Sequence, residues 1–273
     1  MNNDVNRRGF LGLAAMGGGA LAAGLMPVRA AEQAGETGSL VHAEFPSHDP
    51  AVVREVVGAS HGRIDDVRKV VEATPALARS AWDWGFGDWE SALGAASHMG
   101  RRDIAELLMK HGARPNLFTH AMLGHLDVVK AAVVTQPGIQ RIHGPHGITL
   151  LSHARNGGEQ AGAVLAYLES LGDADVRATS LEISDEEKKR YLGRYVFGSG
   201  DDEAFEVLTN SRGALAIRRG ERFGRVLNRV EEHGFAPGGA PAVRVRFTLR
   251  EDDVVALTIH DPDPLVTAKR VRG

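Results

Sequence analysis

Two hydrophobic periods divide the chain. In its first part apolar side chains recur at i, i+3 and i+4, as in Val67, Val70 and Val71 and again in Ile104, Leu107 and Leu108, which is the buried stripe of an amphipathic helix. Each stripe follows a glycine, and the same arrangement returns after Gly124 and near Gly157 and Gly158. Pro75 and Pro137 each stand thirteen residues after their turn glycine, where they are expected to stop a helix. From Leu181 the period changes to two. In Val243, Val245, Phe247 and Leu249 the apolar residues face one side and the intervening arginines the other, so one face of that sheet is wet. Turn clusters at 198–202, 210–213, 220–222, 234–241 and 251–253 separate short strands. Ser184 with Glu187 three residues on forms a capping-box signature for one short helix ending near Arg190.

The stretch 89–116 resembles a single ankyrin repeat. Ser91, Ala92, Leu93 and Gly94 stand where that family's T-P-L-H opens the first helix, Gly100 is the inter-helix turn, and Gly112 with Ala113 ends the second helix. Gly124-His125-Leu126-Asp127-Val128-Val129-Lys130 is similar to the family's G-H-x-E-V-V-K, and residues 147–154 are close to G-x-T-P-L-H-x-A. The resemblance implies four copies over residues 54–176, with turn glycines at 62, 100, 124 and 158 spaced 38, 24 and 34 residues apart, against a family period of about 33. Tyr191-Leu192-Gly193-Arg194-Tyr195, followed by alternating strands and Leu257-Thr258-Ile259-His260, resembles the small lipocalin-like accessory domain that follows bacterial serine-hydrolase domains. The expected fold is therefore α+β and multidomain: an all-α ankyrin-repeat solenoid at 51–178, then a small antiparallel β-sheet or barrel-like domain at 181–273. Six to eight strands would curl over a core filled by Phe197, Phe205, Phe223, Phe235 and Phe247.

The first thirty residues read as an address. Asn6-Arg7-Arg8-Gly9-Phe10-Leu11, an Ala/Gly/Leu run to Met26, and Val28-Arg29-Ala30 resemble a twin-arginine export signal with its cleavage site. That implies a periplasmic or otherwise exported protein, without stable membrane insertion once the signal is removed, by a route that carries folded and often cofactor-loaded proteins. Residues 31–50, with Gly35, Gly38, Pro46 and Pro50 and no periodicity, are expected to be a flexible lead-in. The formal net charge of -3 and the lack of a polybasic run argue against nucleic acid as a partner. The absence of cysteine excludes disulfides, thiolate metal sites and a cysteine nucleophile. No Ser-x-x-Lys or Gly-x-Ser-x-Gly motif occurs, so the hydrolase that such a β-domain accompanies is absent.

All three tryptophans lie within residues 82–89, interleaved with acids. Tryptophan anchors many interfaces, and in ankyrin proteins the inter-repeat hairpins form the concave binding surface. Trp82, Asp83, Trp84, Asp88, Trp89 and Glu90 are thus expected to bind a protein partner, in a scaffold without cofactor or catalysis. A different reading starts from the shortened 24-residue interval, whose cut-back hairpin would leave a notch between residues 82–90 and the His143-Gly144-Pro145-His146 hairpin. Asp83, Asp88, Glu90, His143 and His146 gathered there would suit a divalent metal, with His143 and His146 as ligands, or general acid-base work. A third places a small apolar ligand inside the β-domain.

Overall fold

The computed structural model describes residues 45–176, 179–200 and 202–271; the expected export signal and most of the lead-in lie outside them. Helix α1 (Pro50–Ala59) starts where Asp49 accepts the Ala51 N–H at 2.7 Å and Pro50 presets the first turn. α2 (Ile64–Ala73) buries Val67 and Val71 and ends ahead of Pro75, as expected. A 3₁₀ turn (Pro75–Arg79) and a hairpin of β1 (Ala81–Asp83) and β2 (Trp89–Ser91) follow. Ser91 then caps α3 (Ala92–His98), whose residues are all buried, and α4 (Arg102–Lys110) returns along it. Gly100 between them has φ +67°, and a Cβ there would overlap the Asn156 carbonyl, so only glycine lets the later helix approach.

Asn116 caps α5 (Leu117–Leu123), followed by α6 (Leu126–Thr135) before Pro137. Two 3₁₀ turns, Ile139–Arg141 and Pro145–Gly147, lead to α7 (Leu150–Asn156) and α8 (Gly162–Leu171). The capping box of Ser184 and Glu187 is present, and α9 (Asp185–Tyr191) runs from it into the sheet. Among the described residues no helix is long and apolar enough to cross a membrane.

Eight strands form an antiparallel meander: β3 (Gly193–Val196), β4 (Ala204–Thr209), β5 (Leu215–Arg219), β6 (Arg225–Glu231), β7 (Gly234–Pro237), β8 (Arg244–Arg250), β9 (Asp253–His260) and β10 (Pro264–Arg270). Pairing of β10 with β3, Lys269 opposite Val196 and Arg270 opposite Tyr195, closes the barrel. On β8, Val245 and Phe247 point inward while Arg246 and Thr248 are exposed, matching the alternation in the sequence. Tyr191, Tyr195, Phe205, Phe235, Phe247 and their aliphatic neighbours fill the interior.

Several expectations are corrected. The ankyrin-repeat solenoid followed by a small β-domain is replaced by helices leading into a fully closed eight-stranded barrel, and residues 44–273 form one compact unit. Regular stacking needs equal connections. Here a 3₁₀ turn and a β-hairpin occupy the first, only residues 111–116 join α4 to α5, and two 3₁₀ turns occupy the third. The turn cluster at 234–241 supplies a buried strand, β7, which pairs with β6 and β8 and turns Phe235 into the barrel core. Phe223 is 75% exposed and contributes nothing to the barrel core.

Candidate metal centre

Two histidines come from equivalent local structures. Ser60 and Ser97 each turn a hydroxyl back on the carbonyl four residues earlier, Val56 and Leu93, at 2.7 and 2.6 Å. This closes α1 and α3 in the same way and brings His61 and His98, the next residues, out of the two helix ends side by side, with ring centroids 5.0 Å apart. Glu90 reaches them from the hairpin. Alternation along β2 leaves Trp89 outside and turns Glu90 inward, where its side chain is wholly buried. His146 arrives from the 3₁₀ turn Pro145–Gly147 with φ +60°, a left-handed conformation that a non-glycine residue adopts only when its surroundings hold it there.

The four side chains converge. Glu90 Oε1 lies 2.9 Å from His98 Nε2 and 3.3 Å from His146 Nε2, and Glu90 Oε2 lies 3.4 Å from His61 Nε2. One ligand atom from each residue falls within 4.8 Å of all the others. With metal–ligand bonds of ~2.1 Å, neighbouring ligand atoms are ~3.4 Å apart around a tetrahedral ion and ~3.0 Å apart around an octahedral one. These carboxylate–imidazole separations are already those of a coordination sphere, and the cluster can hold a metal ion.

Tautomers sharpen the point. His61 Nδ1 faces the Gly58 carbonyl at 3.2 Å and His146 Nδ1 faces the Asp88 carboxylate at 2.7 Å. Neither oxygen can donate, so both ring nitrogens must. In the neutral ring each Nε2 is then a bare acceptor directed at another acceptor, Glu90. Glu90 Oε1 and His98 Nε2 are both buried, and neither makes a hydrogen bond of acceptable geometry despite their 2.9 Å approach. Burial raises the Glu90 carboxyl, but hydrogen bonds from the His146 and His98 rings and the positive charge of His146 and His61, when those rings are protonated, hold it at about 2. With the rings neutral, Glu90 faces the His61 and His146 lone pairs, and a metal cation would take the place of the imidazole protons that otherwise balance the carboxylate.

The surroundings orient these groups. Trp84 donates its indole N–H to Glu90 Oε2 at 2.7 Å. Asp88, also buried, accepts the backbone N–H of His146 at 2.8 Å as well as its ring N–H, and pairs with the Arg225 guanidinium at the start of β6. Burial lowers the Arg225 pKa from its ordinary value, against the opposing pull of Asp83. The sphere is protein-packed on the side of Glu90 and His98, whereas His61 and His146 keep 30% and 26% of their side-chain surface. An open groove of about 490 Å³, lined among others by Asp88, Glu90, Phe118 and Pro145, runs beside the hairpin.

Of the residues expected in the notch, Asp88, Glu90 and His146 meet. Asp83 instead caps the hairpin tip, accepting the Gly85 N–H at 2.8 Å, and His143 donates from Nε2 to the Val176 carbonyl at 2.6 Å. Trp82 and Trp84 pack partly buried on the helical core, whereas Trp89 is 64% exposed. The notch expected from the sequence did not include His61, His98 or Arg225. The signal for the histidines was the recurrence of Ser-His just before Gly62 and Gly100, which places two imidazoles at one structural position of successive helix pairs; nothing marked Arg225. In comparisons with known proteins, the chain matches no family model, no curated protein and no solved structure.

Proposed function

We propose that this protein is a metal-dependent enzyme whose His61, Glu90, His98 and His146 hold one divalent transition-metal ion. The observation that carries the reading is the convergence of Nε2 lone pairs on a buried carboxylate, with the Nδ1–H groups of His61 and His146 already committed elsewhere. Three imidazoles and one carboxylate suit zinc, manganese, iron, nickel or copper, and the lack of thiolate disfavours a cluster of the iron–sulfur kind. A bound ion would supply a Lewis acid and an acidified water. The partly exposed edges of His61 and His146 favour access to that ion over a closed structural site. The twin-arginine signal expected at residues 1–30, if it directs export of a folded and cofactor-loaded chain, would fit this reading.

The test is purification without chelators, metal analysis per chain, and titration of the metal-free protein with Zn²⁺, Co²⁺ and Mn²⁺. One equivalent, lost in Glu90→Gln and His98→Ala, is expected, with water-proton relaxation showing an exchangeable water on the Mn²⁺ form. Failure to bind any of the three at micromolar concentration overturns the proposal; binding without exchangeable water reduces it to a structural metal. Exposed Trp89 favours a second reading, protein recognition through the outer side of the hairpin. Loss of partner capture in Trp89→Ala with metal binding intact would support it.

A further inference from the structure

We infer that Asp88 and Arg225 are positioning residues of this centre, so that a residue of the barrel sets the affinity of a metal held by the helical part. The inference rests on the metal-binding reading. Among the described residues Asp88 is the group that fixes which nitrogen of His146 carries the proton, and it grips that residue with both oxygens: Oδ1 takes the backbone N–H and Oδ2 the ring N–H. The double grip sets the rotation of the ring and holds the backbone at φ +60°. Together these aim Nε2 at Glu90 Oε1, 3.3 Å away. Carboxylates placed behind metal-binding imidazoles in this way raise the ligand's basicity and preset its orientation.

Asp88 is itself held from the barrel. Its carboxylate is 1% exposed and pairs with Arg225, whose side chain is 10% exposed. A second barrel feature, Gly239 after β7, leaves the space that the carboxyl group occupies: with φ +83°, a Cβ there would fall 2.6 Å from Asp88 Cγ. Without the guanidinium, the buried Asp88 carboxylate would lose the partner that fixes its position against the two N–H groups of His146. The change Asp88→Asn breaks the same arrangement, because the amide would turn a donor toward His146 or Arg225, which are donors themselves.

The experiment compares Co²⁺ and Zn²⁺ affinity, and the visible spectrum of the Co²⁺ form, in the wild type, Asp88→Asn, Arg225→Met and Arg225→Lys. The tautomer of His146 is read in each metal-free protein by long-range ¹H–¹⁵N correlation above neutral pH. Asp88→Asn and Arg225→Met are expected to weaken binding roughly 10–100-fold and to move His146 out of the pure Nδ1–H form, while Arg225→Lys, which keeps a charged donor, recovers most of both. If Asp88→Asn fails to fold, the two Arg225 variants carry the test. A wild type that binds metal, with variants that bind it equally and show the same Co²⁺ spectrum, overturns the positioning role alone. A wild type that binds no metal overturns the metal reading and this inference with it.

Discussion

Asp88 accepts two hydrogen bonds from one residue, His146, through its backbone N–H at 2.8 Å and its ring Nδ1–H at 2.7 Å. The second leaves the distal nitrogen as an acceptor facing Glu90, and the first stabilises a left-handed backbone that costs a non-glycine residue about 1–3 kcal/mol. His146→Asn tests the division of labour. Asparagine tolerates that conformation, so metal-free stability is expected to stay within about 1 kcal/mol of the wild type in urea melts, while the rise in melting temperature on adding Zn²⁺ disappears.

Removing the ion from the wild type is expected to lower the melting temperature. At a free metal concentration a hundredfold above Kd the bound form gains about 2.7 kcal/mol, or roughly 5–10 °C for a chain of this length. Calorimetry with and without chelator reads the shift, and Glu90→Gln should show none.

Trp84 and Trp89 are expected to separate. Trp84→Phe removes the N–H that holds Glu90 Oε2; a hydrogen bond to a charged group contributes about 1.5–3 kcal/mol, so both stability and metal affinity should fall. Trp89→Ala, at an exposed position, should change stability by less than about 0.5 kcal/mol.

Gly239→Ala should behave like a weakened Asp88. Its φ of +83° and the crowding by Asp88 and Arg225 predict a loss of about 1 kcal/mol or more from backbone strain, together with weaker Co²⁺ binding. An alanine chain with wild-type affinity would show that the carboxylate has room to move.

The barrel carries a separate alkaline signature. Burial raises the Tyr195 hydroxyl to about 12, and it donates to the Tyr191 carbonyl at 2.7 Å. Between its unfolded value near 10 and about 12 the unfolded chain loses this proton while the folded chain keeps it. Stability therefore falls as pH rises through that window, by on the order of 2–3 kcal/mol from this group. Tyr195→Phe should be about 1 kcal/mol less stable near neutrality and lose less stability between pH ~10 and ~12. Parallel pH curves for the two proteins would count against this assignment.

The helical stripes, the stops before Pro75 and Pro137, the capping box at Ser184 and the strand alternation on β8 were all legible, because periodicity and cap chemistry act within a few residues. The crowding of acids and tryptophans at 82–90, and its meeting with the hairpin of His146, could also be read from residue types and interval lengths. The sequence by itself thus determined most of the order of helices and strands and part of the candidate metal centre. Only the tertiary structure decided that the sheet closes and that Trp82 and Trp84 turn inward. It alone brought His61 and His98 beside Glu90 and set Arg225 against Asp88. Local patterns specify which face of an element is buried, but convergence depends on how separate backbones approach, at Gly100 against Asn156 and at Gly239 against Asp88, and no local period encodes those distances.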